Sequence, residues 1–299
     1  MLNRFVLSAG CTAAAMVLGA GLLHLIPRLG RTGQRLSNGL CRAPGLDWVI
    51  TYFTVAPLIV GPAVAGWRGF FGAIVGQVAG VMIWTFLHEL ANPDARRGPR
   101  IIKMSNRLSG RWRNMAALWL TAIVTPGFWI IRFSEVAIWP AIARLVGLPR
   151  YRSADWVNVS RHKFSGLVGH DLIWCLYCDW MTGVWSLGSE MLRNVESYWC
   201  PIRFSNEKKC ANCAVDFPDV EQGWVPADGT MAQVVETMET MYADGQRGWF
   251  GHPARLTVKG EPVEITAIAG KKPARSEVSA ESDSGGTLVF GPDQGGARS

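Results

Sequence analysis

The sequence predicts a mainly α protein: a multi-pass α-helical membrane domain over residues 1–150, a small α+β cysteine-rich soluble domain over 151–269, and a disordered polar tail over 270–299. Three observations carry this. Apolar runs near the bilayer-crossing length of about 20 residues recur in the first half. Charge divides sharply, since residues 1–150 hold 16 Lys/Arg against four acidic residues and residues 151–299 hold 14 against 19. Five of the seven cysteines fall between Cys175 and Cys213.

The first expected span is 5–26. A cleaved signal peptide would have a shorter apolar region, roughly 7–15 residues, whereas this one continues to Ile26, so an uncleaved anchor is expected. Arg28, Arg31, Arg35 and Arg42 follow in a basic loop. Runs 48–66 and 69–87 are joined by Gly66-Trp67-Arg68, a link so short that it makes them an antiparallel hairpin. In the second run Gly72, Gly76 and Gly80 lie on one helix face. Without side chains that face admits another helix at close range, and a membrane protein partner is one candidate. Gln77, strongly polar within this run, is expected to face protein.

Loop 88–113 carries Arg96, Arg97, Arg100, Lys103, Arg107, Arg111 and Arg113. The positive-inside bias places it in the cytoplasm and gives it an attraction for anionic headgroups. His88-Glu89 is not a zinc motif, because Asn92 stands where a second histidine would be needed. Residues 114–131 form another span, with Pro126-Gly127 as a kink or turn. The run 136–148, interrupted by Arg144, either returns across the bilayer or lies in its interface. Arg144, Arg150, Arg152, Arg161 and Lys163 crowd its far end and favour a cytoplasmic exit. The expectation is therefore an integral protein of the cytoplasmic membrane with its cysteine domain in the cytoplasm. Nucleic acid is excluded as a partner, because the soluble half is net acidic and repels phosphates.

The cysteine-rich stretch begins on an expected helix, 165–198, broken near Gly183 or Gly188. Asp171, Cys175 and Cys178 share one face of it at i, i+4 and i+7. Cys200-Pro201 follows its end, and Cys210 and Cys213 sit in a polar segment after Lys208-Lys209, a setting that favours thiolate. Two CxxC pairs suit a zinc ion held by Cys175, Cys178, Cys210 and Cys213, or an iron–sulfur cluster using these or exchanging one for Cys200. A rival chemistry is nucleophilic catalysis by Cys178 or Cys200, with His170 or His162 as base and Asp171 or Glu190 orienting it. Structural disulfides, thiol–disulfide exchange and plain buried thiols are further readings of the same cysteines. Beyond them, 230–243 reads as an amphipathic helix through Met231, Val234, Val235, Met238 and Met241, and 254–258 with 263–269 as a β-hairpin.

The leading functional expectation is a membrane-anchored metal-binding or iron–sulfur protein acting in electron transfer or a redox step at the membrane. The alternatives are a cysteine-dependent lyase or hydrolase acting on a lipophilic substrate, and a membrane scaffold or assembly factor.

Overall fold

In lipid a backbone must satisfy its own hydrogen bonds, which selects helices for apolar runs such as these. A computed structural model describes residues 2–209, 224–242, 256–258 and 261–263. The helices are α1 (Leu2–Leu25), α2 (Gly30–Leu40), α3 (Gly45–Thr54), α4 (Ala56–Ala91), α5 (Pro93–Arg97), α6 (Ile101–Ser109), α7 (Arg111–Ala122), α8 (Thr125–Phe133), α9 (Trp139–Val146), α10 (Ser153–Trp156), α11 (Gly169–Trp199) and α12 (Met231–Tyr242). Three segments, Asn3–Arg28, Ala56–Ala91 and Arg111–Val146, are long and apolar enough to cross a membrane.

The second of these is not one rod. At Ala65 and Gly66 the backbone leaves the helical region, with Gly66 at φ 61°. A Cβ on Gly61 would lie 2.5 Å from the Gly69 carbonyl oxygen. Residues eight apart in a straight helix are separated by about 12 Å along the axis, so the chain has reversed. Residues 45–65 and 67–91 thus form the antiparallel hairpin expected from the short link. Its first arm is broken where Pro57 supplies no N–H for the Phe53 carbonyl. Gln77, on the second arm, repairs the break by donating through Nε2 to the carbonyls of Phe53 (2.9 Å) and Thr54 (2.8 Å).

The glycine face of α4 is filled by the chain's own first helix. Cβ atoms at Gly72, Gly76 and Gly80 would meet Phe5 O at 2.6 Å, Ala9 O at 2.5 Å and the Met16 side chain at 3.0 Å. Ser8 Oγ donates across this seam to Gly69 O (2.9 Å), and Tyr52 of α3 donates to Ala15 O (2.7 Å). Close backbone approach with interhelical hydrogen bonds holds helices together where lipid removes the hydrophobic drive.

The expected long loop 88–113 contains two short helices, α5 and α6, and the expected pair 114–131 and 136–148 runs as one helical stretch from Arg111 to Val146. The stretch is interrupted at Ile123–Val124, just before Pro126, and by a π-helical turn at Ser134–Ile138. The expected break in the next helix is absent, for α11 continues through Gly183 and Gly188. Both glycines serve close approach instead. A Cβ on Gly183 would sit 2.4 Å from Trp156 O, and one on Gly188 would sit 2.9 Å from Ile131.

α11 reaches both sides of the hairpin's open end. Its first residue, Gly169, donates its N–H to His88 Nδ1 near the end of α4 (3.1 Å). Its middle, Trp180, Val184 and Leu187, packs with Ala43 and Leu46 at the start of α3 and with Trp139, Ala143, Leu148 and Val157. One hydrophobic core therefore draws on both sides of residue 150. Trp180, Val184, Leu187 and Val157 are fully buried, each contributing about 1.5–3 kcal/mol by removal from water. α12 begins with a reciprocal cap: Thr230 N donates to Gln233 Oε1 (2.8 Å) and Gln233 N to Thr230 Oγ1 (3.4 Å). The β-hairpin pairs Leu256–Val258 with Glu261–Val263, in register Leu256↔Val263; residues 264–269 of the expected second strand lie outside the described residues.

Replacing Gly76 by Leu should drive a side chain into the Ala9–Thr12 backbone and cost about 1–3 kcal/mol. The measurement is thermal unfolding in detergent, with Gly10→Leu as the control, because nothing lies within 4 Å of a Cβ at Gly10. Equal melting temperatures for the two variants would mean that the glycine seam contributes nothing.

Candidate functional site

The expected site residues separate into three places. Asp171, in the first turn of α11, is buried and bound to Arg100. Arg100 Nε donates to Asp171 Oδ2 (2.6 Å), and its terminal nitrogen donates to Glu89 Oε1 (2.8 Å) and to Val168 O (3.2 Å). The second carboxylate oxygen of Asp171 accepts from Ile102 N (3.0 Å). Asp171 is thus occupied in joining α4, α6 and α11. His170, beside it, accepts from Trp174 Nε1 through Nε2 (3.0 Å). Burial lowers its pKa, Arg100 adds to this, and Asp171 and Glu89 oppose it. It stands two helical turns from Cys178, about 12 Å along α11.

The second place is built by a short antiparallel ladder. Ala43 N donates to Val157 O (2.9 Å) and Val159 N donates to Cys41 O (2.9 Å). This pairing delivers Cys41, from the turn after α2, to the 3₁₀ turn Arg161–Lys163. Cys41 Sγ lies 3.9 Å from His162 Nε2. Asp179 of α11 pins the same turn by accepting from the backbone N–H groups of Ser160 (2.7 Å) and Arg161 (3.1 Å) through Oδ2. The Arg161 guanidinium stands 3.8 Å from Asp179 Oδ1, and Cys178 first, then Asp179 and Cys175, push its pKa upward. Burial raises the Cys41 pKa, while Lys163 and Arg42 draw it down. Burial, then Lys163, lowers that of His162 against the pull of Asp179. Both groups are uncharged at neutral pH. The arrangement is a thiol facing an imidazole; both shifts favour the uncharged pair over thiolate and imidazolium, with Lys163 and Arg42 opposing burial at the thiol. Cys175 is half-buried, and burial raises its pKa.

The third place is the far end of α11. Cys200 is exposed there, 22 positions after Cys178, which is about 33 Å of helix. The structure does not bring Cys200 to Cys175 and Cys178. Cys210 and Cys213 lie outside the described residues. Among the described residues no three His, Cys, Asp or Glu side chains come together as a metal-binding group. Glu190, proposed to orient a base, is buried on the core face of α11.

Sequence reasoning missed Cys41 and Arg100. Nothing local marks Arg100 among the seven cations of 96–113, or Cys41 in a turn between two helices. The available signal for Cys41 was the short stretch ending at Pro44, which favours extended backbone able to pair.

Removing Arg100 should strand a buried carboxylate. Arg100→Met is expected to destabilise by about 3–5 kcal/mol, and the double variant with Asp171→Leu by less than the sum of the two single changes, measured as a double-mutant cycle by chemical denaturation. Additive losses would show that the pair is not coupled. Because burial holds the folded His170 pKa below that of the unfolded imidazole, the unfolded chain takes up the proton first. Stability should be fully present above about pH 6.5 and fall as the pH drops below that value through the folded pKa. His170→Gln should flatten this slope of melting temperature against pH, and an unchanged slope would remove His170 from the titration.

No family model, curated protein or solved structure matches this chain, so the geometry alone carries the functional argument.

Proposed function

We propose that the chain is an integral membrane protein performing a cysteine-dependent reaction on a lipophilic substrate at the membrane surface, with Cys41 as the reacting thiol and His162 as its proton acceptor. The observation that carries this reading is the 3.9 Å contact between Cys41 Sγ and His162 Nε2, made across 121 residues by a dedicated backbone ladder. Arg161, next to His162 in the same 3₁₀ turn, is influenced electrostatically by Cys178 and Cys175 of α11. The apolar segments supply the membrane, and the basic stretch 96–113 directs this end of the protein to the cytoplasm.

A second reading places a zinc ion or an iron–sulfur cluster on Cys175 and Cys178, completed by Cys210 and Cys213, for electron transfer or a redox step at the membrane. It is favoured by two sulfurs standing one turn apart on α11, the spacing at which helix side chains are neighbours.

The two readings separate in one preparation of the full chain, purified without oxygen. Alkylation of Cys41 by a maleimide, followed by mass spectrometry, should slow several-fold in His162→Ala while alkylation at Cys200 is unchanged. An unaltered Cys41 rate would reduce the contact to packing and defeat the first reading. Stoichiometric zinc, or iron with acid-labile sulfide, lost on Cys178→Ser, would instead support the second.

A further inference from the structure

The outer face of α11 is apolar where a solvated helix would be charged. Trp180, Val184, Leu187, Met191 and Asn194 are buried on its inner face. On the opposite side Cys178, Trp185, Leu192 and Trp199 recur every seven residues, which is every two turns. Trp185, Leu192 and Trp199 are 61%, 53% and 55% exposed. One charged residue, Glu196, lies on this face between Leu192 and Trp199, and it is partly buried and bound by Arg193. Asp179 is turned to the 160–161 backbone, and Asp171 and Glu190 are buried.

The stripe is continuous with the outer surface of α8. The Trp185 ring lies 6.3 Å from that of Phe128, and Gly188 fits against Ile131. From there α8 exposes Ile130 and Phe133, within the segment 111–146 that is long and apolar enough to cross a membrane. We infer that the Trp185–Leu192–Trp199 stripe lies in the membrane interface as an extension of the lipid-facing surface of α8. Indole rings favour the headgroup region, where one edge is apolar and the N–H is wet. The inference rests on the membrane reading above and deepens it. Cys178 stands at the end of a lipid-bathed face, so a substrate dissolved in the bilayer reaches the thiol cluster without leaving the membrane.

The test is photolabelling of the full chain in nanodiscs of phosphatidylcholine and phosphatidylglycerol, with a diazirine placed on the acyl chain and the adducts mapped by mass spectrometry. Adducts on peptides holding Trp185, Leu192 and Trp199, at yields comparable to those on α1 around Leu18 and Leu22, are expected. Adducts on α1 and α4 without any on 185–199 would overturn the inference while leaving the membrane reading intact, and would point to a protein partner or solvent on the stripe. An absence of adducts on α1 and α4 would overturn both. A cysteine introduced by Leu192→Cys should resist a membrane-impermeant maleimide in intact nanodiscs and react after denaturation. Rapid labelling in the intact discs would also overturn the proposal.

Discussion

Arg100 is the constraint on which the arrangement depends. A buried guanidinium is tolerated only when its donors are satisfied by opposite charge and by carbonyl oxygens. Here those partners come from Glu89 at the end of α4, from Asp171 at the start of α11 and from the Val168 carbonyl. One side chain thereby gathers the close of the apolar hairpin, the basic segment and the longest uninterrupted helix. Its geometry leaves little freedom, because Asp171 is held from its other oxygen by Ile102 N. A second buried guanidinium repeats the device nearby. Arg132 grips Asp47 through two nitrogens (2.9 and 2.7 Å) and Glu135 through a third (2.7 Å), fastening the opening of α3 to α8 and the π-helical turn. Ionised groups at such depth are costly when unpaired, so each guanidinium selects one packing of its elements over looser alternatives.

Between these two fasteners the chain uses different physics in different layers. The α1–α4 seam has almost no side-chain bulk, and relies on glycine to bring backbones together and on Ser8, Tyr52 and Gln77 to satisfy carbonyls. The layer formed by 41–46, 128–157 and α11 relies instead on large side chains, with Trp180 packed among Phe128, Trp129 and Val184. The thiol cluster sits at the border of this layer, where the 41–43 and 157–159 backbones pair. Its position follows from the ladder and from Asp179. The cysteines are held in relation to His162 and Arg161 by backbone hydrogen bonds rather than by their own contacts.

Elements with local causes were legible in the sequence. The hairpin followed from a three-residue link between two apolar runs, the tight glycine face from its four-residue spacing, and α12 from its apolar period. The thiol site was legible only in part. Cys175 and Cys178 were singled out correctly as neighbours on one helix, but Cys200, grouped with them in the sequence, stands at the far end of a continuous 31-residue helix. Glycines at 183 and 188 suggested a break because glycine weakens an isolated helix. Here Trp156–Val157 and Ile131 pack against them and require them to be small.

The sequence by itself determined which segments are apolar enough for a membrane and where the Gly66 link turns the chain, because these depend on residues a few positions apart. Tertiary structure alone decided that Asp171 serves Arg100, that Cys41 meets His162 across 121 residues, and that one core spans the boundary at 150. Those outcomes depend on pairings between distant segments. A buried charge or a half-buried thiol carries no local mark of its partner, and the same residues would satisfy several arrangements until packing chooses one.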